Sequence, residues 1–361
     1  MGSISLSDIA VVVPSLNPDD KLVAYVEELQ KAGFNKIVVV NDGSTVHTHV
    51  FQELEKKNVC VLTHAVNQGK GRGLKTGINY LLNTYSSSEL AGMVTADADG
   101  QHSVEDTLKV AERLKDGTGL VLGTRNFSQQ DVPFKSRSGN RITTAVFAFI
   151  YGKKISDTQT GLRGVPYDFM KDCLTYAGER YEYEIAMLIG AVSGGLEIAE
   201  VPIRTIYYEN NRNTHFSATR DSARIYKVLL EKGLKYSCAS LLSMLADFSV
   251  FTLLTAILSE RFPAAANLFI STCTARIISS LMNYSLNRNR VFHSSESVGR
   301  TMPRYYLLCV SQMLVSWFCV LQIHNLTGIH SSVVKALVDV TLFFGSYYIQ
   351  RRWVFKQRRG N

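Results

Sequence analysis

Cysteine is sparse in this 361-residue sequence, and no two of the six form a C-x-x-C pair. That spacing excludes a zinc or thioredoxin-type motif, and Cys60, Cys173, Cys238, Cys273, Cys309 and Cys319 do not form a disulfide framework. Four of them fall in apolar stretches and read as buried thiols. No secretory leader is visible: the first apolar run, Ile9–Val13, is too short and lacks a basic flank and a cleavage pattern. Leu6 stands where a myristoylation motif needs Ser or Thr. The N-terminal part is therefore expected to stay in the cytoplasm. Acidic charge is nearly absent from the C-terminal third. Residues 236–361 hold 12 Lys and Arg against 4 Asp and Glu, the whole net charge of +8, whereas residues 1–235 carry 27 of each sign. A basic excess confined to an apolar third points to membrane orientation and not to nucleic acid. A Walker A loop and a G-x-G-x-x-G turn are also lacking; Asn67-Gln-Gly-Lys-Gly-Arg-Gly73 has the glycines of a phosphate cradle without either spacing.

The first half alternates short β-rich runs with helical patterns. Strands are expected at Ile9–Val13, Ile37–Val40, Val59–Leu62, Gly92–Ala96 and Gly119–Leu122, with helices starting near Asp19, His47, Gly69 and Ser103. Ser103 as N-cap with Asp106 three residues on marks the last of these. The alternation predicts an α/β domain, Rossmann-like, with a mostly parallel sheet and ligands beyond the carboxyl ends of its strands. The chemistry-bearing residues fall at those ends: Pro14 and Asn17, then Asp42, then Asp97 and Asp99, then Arg125. Asp97-Ala-Asp99-Gly-Gln101-His102 is the most informative stretch. If extended geometry persists, Asp97, Asp99 and the Gln101 amide face one way. Hard oxygen donors of that kind suit Mg²⁺ or Mn²⁺, completed by substrate phosphates. A turn capping the next helix can carry the same letters.

Five motifs occur in order: Pro14-Ser-Leu-Asn17-Pro18, Asn41-Asp42-Gly43-Ser44, Asn67-x-Gly69-Lys70-Gly71, Asp97-Ala-Asp99-Gly-Gln101 and Asp157-Thr-Gln-Thr-Gly161-Leu-Arg163. The ordered set resembles the family 2 glycosyltransferases of the GT-A fold. Among them it is similar to the polyprenyl-phosphate (dolichol- or undecaprenyl-phosphate) glycosyltransferases, over roughly residues 8–230. The resemblance implies inverting transfer of a hexose from a nucleotide sugar to a lipid monophosphate. It also implies roles. Asp42 matches the acid that reads the nucleoside, and Pro14, Asn17, Gly69 and Lys70 belong with it on the nucleotide-sugar side. Asp97, Asp99 and Gln101 match the metal ligands that hold the diphosphate. Arg125 matches an arginine near the phosphates, and Asp157 and Gln159 match the loop near the transferred sugar. Catalytic roles are expected for Asp99, Arg125, Asp157 and Gln159. The sequence departs from the family in two places. Asn17-Pro18 replaces the usual Asn-Glu, and Asn211-Arg212-Asn213-Thr214-His215-Phe216 replaces an R-x-x-G-x-S segment, leaving Arg212 or His215 to take over a diphosphate contact.

A phosphate monoester acceptor is already a nucleophile near neutral pH, its second pKa being about 6, so no general base is required. Basic residues should dominate the acceptor side, and Lys135, Arg137 and Arg141 supply them. They precede a short apolar run, Ile142–Tyr151, that Lys153 and Lys154 close, the pattern of a helix of about residues 135–152 lying in the membrane surface. A buried core helix is the competing reading. Residues 1–219 thus read as the catalytic domain, 220–235 as a juxtamembrane helix and 236–361 as a membrane domain. Four spans are expected: Tyr236–Leu258, Pro263–Tyr284, Tyr305–Leu326 and Val333–Ile349. The basic loop 287–304 and the basic tail assign both termini and the catalytic domain to the cytoplasm of a multi-pass cell-membrane protein. Asp247, Arg276, Lys335 and Asp339 are charges within spans, paired as Asp247–Arg276 and Lys335–Asp339. Ala275-Arg276-x-x-Ser279-x-x-x-Asn283-Tyr284-x-Leu286-Asn287-Arg288 and Arg352-Trp353-Val354-Phe355 resemble the GtrA-like membrane family over roughly residues 232–356. That resemblance implies a platform for a lipid-linked sugar. The partners expected are a nucleotide sugar (a UDP-hexose favoured, GDP-mannose the other candidate) and polyprenyl phosphate, with oligomeric state open. Two alternatives stand beside this reading: a processive polysaccharide synthase, and a lipid-linked sugar flippase with a non-catalytic soluble domain.

Overall fold

The computed structural model describes residues 5–117, 119–127, 134–204 and 219–356, the side chains of 134–136 excepted. The chain divides into two compact units, Met1–Leu229 and Leu230–Asn361.

The first unit is built on a seven-stranded sheet: β1 (Ile9–Ser15), β2 (Lys36–Asn41), β3 (Cys60–Thr63), β4 (Gly92–Thr95), β5 (Leu120–Arg125), β6 (Arg163–Pro166) and β7 (Ile198–Ile203), in the order β3-β2-β1-β4-β6-β5-β7. Around it lie α1 (Lys21–Lys31), α2 (His49–Lys56), α3 (Lys70–Thr84), α4 (Val104–Lys115), α5 (Phe134–Tyr151), α6 (Tyr167–Thr175) and α7 (Glu182–Ser193). β1 is buried along its whole length, as a central parallel strand covered on both faces must be. Its alternation sorts the two cores. Ala10 and Val12 join Leu74, Ile78 and Leu81 of α3, while Ile9, Val11 and Val13 join Leu22, Val26 and Leu29 of α1.

Two features of the topology place the site. From β1 the sheet grows one way through β2 and β3 and the other way through β4, so the order reverses between β1 and β4, where open α/β sheets leave a crevice at the carboxyl ends of the strands. The second is β6, which runs antiparallel to β4 and β5 while every other pairing is parallel. An antiparallel strand brings its amino flank to the rim where its neighbours have their carboxyl flanks. The segment 157–162 therefore returns beside the residues that follow β4 and β5. Thr95 Oγ1 donates to Gly161 O (2.6 Å) and Gly123 N to Leu162 O (2.9 Å), fixing it there. The five expected strands are present with altered ends; β6 and β7 are additional. β6 is four residues long and opens on a buried arginine, and β7 is buried only at its ends, Ile198 and Ile203, with partly or fully exposed positions between.

Helix α4 starts as its sequence predicts: Ser103 Oγ accepts the Asp106 N–H (3.1 Å). Helix α5 combines two characters. Asn140, Thr143, Phe147 and Ile150 are buried, whereas Ile142 and Phe149, seven apart on another stripe, are exposed.

The second unit is helical. α8 (Arg220–Leu258), whose first ten residues belong to the first unit, α9 (Ala264–Leu286), α10 (Val298–Thr327) and α11 (Ser331–Ile349) are long and apolar enough to cross a membrane. The expected juxtamembrane helix and first span form one unbroken helix, α8. Large apolar side chains such as Phe248, Phe269 and Trp317 face outward, the reverse of a water-soluble bundle and the arrangement lipid requires. Both charged pairs expected in the spans form, Arg276 Nη2 with Asp247 Oδ2 (3.4 Å) and Lys335 Nζ with Asp339 Oδ2 (2.8 Å). α9 and α11 each end in a π-helical turn, Asn287–Val291 and Gln350–Val354. The two turns meet through a buried bond from Asn287 Nδ2 to Gln350 Oε1 (3.2 Å).

Candidate active site

Asp97 follows β4 at the rim, and its two oxygens face different partners. Lys70 Nζ, from the first residue of α3, reaches Oδ1 at 2.6 Å and also Glu184 Oε1 of α7 at 2.9 Å. On the other side His102 Nε2 lies 3.4 Å from Oδ2, in ion-pair range, while Nδ1 of this buried histidine has no hydrogen-bond partner among the described residues. A Cβ at position 161 would overlap the Asp97 carboxylate, so only glycine lets segment 157–162 pass this close. Burial opposes the Asp97 charge, but Lys70 and then His102 outweigh it and hold the carboxyl well below the usual carboxylate range. Burial likewise acts to lower the pKa of Lys70, and Asp97 and Glu184 raise it far above the ordinary lysine value. Burial, and then the Asp97 charge, push Asp99 up.

Beside this cluster, Arg125 at the end of β5 is held by Asp157. Nε donates to Oδ2 at 2.7 Å and Nη2 to Oδ1 at 3.0 Å, the fork geometry that fixes a guanidinium plane. The N–H groups of Arg125 and Gln159 also donate to this fully buried carboxylate (3.3 and 3.0 Å). Asp157 is thus a positioning residue behind Arg125. One recess is lined by Asp97, Gln101, His102, Arg125, Gln159 and Arg204, with Gly161 at its wall. Asp99 does not line it; its Oδ1 accepts the Gln101 N–H at 3.1 Å.

Asn17 and Asp42, beyond the ends of β1 and β2, each hold a turn by hydrogen bonds to backbone N–H groups. Asn17, at φ 50°, accepts from the N–H groups of Thr45 and Val46 (2.9 and 3.2 Å), while its own N–H donates to Ser44 Oγ (2.8 Å). Asp42 accepts from the N–H groups of Gln68 (2.8 Å) and Gly69 (2.7 Å), and His64 Nδ1 lies 2.8 Å from its Oδ1. These bonds anchor the turn that presents Lys70. Pro14 packs against Gly73 of α3. Of the expected acceptor residues, Arg137 and Arg141 are exposed on α5, and Lys135 lies in its first turn with a side chain outside the described set. Arg212 and His215 lie outside the described residues.

The donor set fits a divalent ion of the Mg²⁺ or Mn²⁺ kind. Among the described residues no three His, Cys, Asp or Glu side chains converge tightly enough to hold an ion alone. Such ions bind through one or two carboxylates and complete their shell with water and substrate phosphates. Asp97 and Gln101 on one recess, with Asp99 in the same motif, meet that description.

Residues 10–173 match the family described as glycosyl transferase family 2, and residues 235–355 match the GtrA/DPMS transmembrane domain. A UDP-N-acetylglucosamine–dolichyl-phosphate N-acetylglucosaminyltransferase from Methanococcus voltae is 30% identical over 225 residues, 56% of this chain and 86% of that protein. The chain belongs to the family 2 glycosyltransferases. This glycosyltransferase is also 31% identical over 237 residues to an uncharacterized protein of Methanocaldococcus jannaschii (64% and 95% of the two chains). A polyprenol monophosphomannose synthase of Mycolicibacterium smegmatis is 24% identical, over 54% and 75%. Among solved structures, glucosyl-3-phosphoglycerate synthase from Mycobacterium tuberculosis, in complex with Mn²⁺, UDP-glucose and phosphoglyceric acid, superposes with a TM-score of 0.49 at 17% identity, covering 62% of this chain and 79% of that one.

Three residues that the structure places at or beside this cluster have no role assigned from the sequence. Glu184 lies 87 positions beyond Asp97 on a helix with no motif. Arg204 follows β7, a strand the pattern does not announce. His102 adjoins the acidic motif and could be found there by its position alone.

Proposed function

We propose that this glycosyltransferase transfers a hexose from a nucleoside diphosphate sugar to the phosphate of a polyprenyl phosphate, with inversion, at the cytoplasmic face of the membrane. One observation carries the reading: Asp97, Gln101, Arg125 and Gln159 share one recess, with Lys70 bonded to Asp97, in a chain that also has four membrane-length helices. Lys70 and Arg125 bring positive charge to the place where a leaving diphosphate gains negative charge. Asp157 keeps Arg125 oriented before substrate arrives, so no reorganisation is needed during transfer. The anomeric carbon loses its bond to the diphosphate oxygen and gains one to the lipid phosphate oxygen. The acceptor brings its own charge, so no side chain has to take a proton. Mg²⁺ or Mn²⁺ would be held by Asp97, Asp99 and Gln101 and would neutralise the departing diphosphate. Arg137 and Arg141 on α5, beside the exposed Ile142 and Phe149, suit an anionic lipid head approaching from the bilayer surface. The basic loop 287–304 and the basic end of the chain support a cytoplasmic position for the catalytic unit. A UDP-sugar is favoured because the Methanococcus relative is named for one.

The test is incorporation of labelled sugar from UDP-glucose, UDP-N-acetylglucosamine and GDP-mannose into organic-extractable lipid by membranes containing the protein. Incorporation that needs added polyprenyl phosphate, stops with EDTA and falls at least about a hundredfold in Asp99→Ala is expected. Label that stays in the aqueous phase, or Asp99→Ala at parental rate, refutes the reading.

A further inference from the structure

Glu184 of α7 stands behind the rim and does not line the recess of Asp97 and Arg125. Its side chain is nevertheless almost withdrawn from water, 7% exposed, with Oε1 2.9 Å from Lys70 Nζ. A buried carboxylate is costly unless its charge is answered, and Lys70 already answers Asp97 at 2.6 Å. One ammonium thus serves two carboxylates, and the second adds a desolvation cost that a simple ion pair would avoid.

The backbone holds Glu184 at a fixed point. Its carbonyl accepts from Arg163 Nη1 (2.6 Å), and the same guanidinium donates to Thr158 O (3.3 Å) and Thr160 O (2.9 Å), which ties the start of α7 to the segment 157–162. The start of α3 is pressed against the same place. A Cβ at position 71 would lie 2.6 Å from Tyr183 Cβ, so Gly71 is what lets the two helices approach. Arg72 N–H donates to Glu179 O (2.9 Å) and Lys75 Nζ to Glu179 Oε1 (3.2 Å). This docking delivers the Lys70 side chain to Glu184.

Charge decides what the contact does. Asp157 answers Arg125, and Glu184 answers Lys70. Asp97 and Asp99 then stand against one further cation, the buried Arg163, whose guanidinium is taken up by carbonyl oxygens. The rim keeps one negative charge in surplus, which is what a divalent ion draws on. Without Glu184, Lys70 and Asp97 would neutralise each other and the surplus would vanish. With it, the Asp97 charge is left to an ion while the ammonium stays paired.

We propose that Glu184 is a positioning residue of this site: by holding Lys70 it releases the Asp97 charge to a divalent ion and keeps the ammonium at the rim for the diphosphate. The proposal rests on the reading that Asp97 takes such an ion.

The experiment measures Mn²⁺ binding as loss of the free-ion electron paramagnetic resonance signal, on the full chain in phosphatidylcholine nanodiscs without nucleotide. Glu184→Gln keeps the shape and removes the charge, and should weaken binding about ten- to hundredfold although the residue lies off the recess. Glu184→Gln with Lys70→Met removes the pair together and should return the affinity to the parental value or above it, a rescue that a merely structural role would not give. Should Glu184→Gln unfold early, the comparison of Lys70→Met with the double variant carries the test, and affinity should fall at least about tenfold from the first to the second. Folded Glu184→Gln with parental Mn²⁺ affinity, a double variant as weak as Glu184→Gln, or one as tight as Lys70→Met overturns the proposal. Parental Mn²⁺ binding with lost sugar transfer in Glu184→Gln overturns it in favour of a proton-accepting role. Asp97→Asn separates the proposal from the reading beneath it. Mn²⁺ binding that survives Asp97→Asn removes the metal assignment, whereas binding that Asp97→Asn abolishes and Glu184→Gln leaves intact removes the role of Glu184 alone.

Discussion

Asp157→Asn tests the positioning of Arg125 directly. Asp157 is fully buried and receives four bonds, two from the Arg125 guanidinium and two from backbone N–H groups. Asparagine keeps the shape, removes the charge and turns an NH₂ group toward donors. Removing one partner of a buried ion pair costs about 3–5 kcal/mol. Arg125 remains 20% exposed and can recover some solvation, so about 2–3 kcal/mol is the expected loss. The loss should be local to the rim where β5 and the segment before β6 meet. Hydrogen–deuterium exchange of peptides covering 119–127 and 155–166 reads it, and about 30- to 140-fold faster exchange corresponds to that energy. Tryptophan fluorescence cannot, because both tryptophans lie in the second unit. Transfer should fall more than stability predicts, since a free guanidinium loses its aim. Arg125→Lys is the companion, keeping the charge and losing the fork. Unchanged exchange in Asp157→Asn together with a transfer rate within about twofold of the parent would refute the reasoning.

Other perturbations follow from the same geometry. Lys70→Met frees Asp97 and Glu184 from their shared cation, so Mn²⁺ should bind more tightly in the absence of nucleotide, read as loss of the free-ion signal by electron paramagnetic resonance; unchanged affinity means that Lys70 does not compete for Asp97. Gly161→Ala forces a methyl group into the Asp97 carboxylate and should cost about 1–3 kcal/mol by overpacking, visible as a lowered denaturant midpoint with an unchanged slope. Cys173 is buried, and burial, then Asp172, push its thiol far above the ordinary value. It should resist maleimide at pH 8 until denaturant is added. Because the folded form holds this proton more tightly, ionisation of the thiol favours the unfolded chain once pH passes about 8.5, and the stability from this group declines above that point. Ser103→Ala removes the cap of α4 and should lower stability by about 1 kcal/mol in the same denaturation assay.

The fold was legible where pattern and burial agree. β1 reads as a continuous apolar run because both its faces are covered, and Ser103 reads as a cap because its hydroxyl has an unsatisfied N–H to meet. The four spans were legible for the same reason, since lipid tolerates little but apolar side chains outside. β6 was not legible. Arg163 is apolar in neither composition nor pattern, yet it is buried because Thr158, Thr160 and Glu184 lend it backbone carbonyls, an accommodation that exists only in three dimensions. The site divides similarly. Asp97, Gln101, Arg125 and Gln159 come together because strand ends share a rim. Asp42 and Asp157 are also at the rim, but their oxygens are taken up by neighbouring N–H groups, a distinction no spacing reveals. Glu184 arrives from a helix whose approach is decided by packing.

The paired π-helical turns at the ends of α9 and α11 have a consequence for how this membrane unit can vary. A wide turn accommodates a surplus residue that a regular helix cannot, so deleting one residue from Asn287–Val291 or Gln350–Val354 leaves a helix that still closes its hydrogen bonds. It also rotates everything downstream by about 100° around the axis. Asn287 and Gln350, which open the two turns, would keep their bond, whereas Phe292 and Phe355, which follow the turns and stack on each other, would swing to a different azimuth. Single-residue deletions after Asn287 or Gln350 are therefore predicted to be mild for helix formation and severe for the Phe292–Phe355 stack, whereas a compensating insertion within the same turn should restore it.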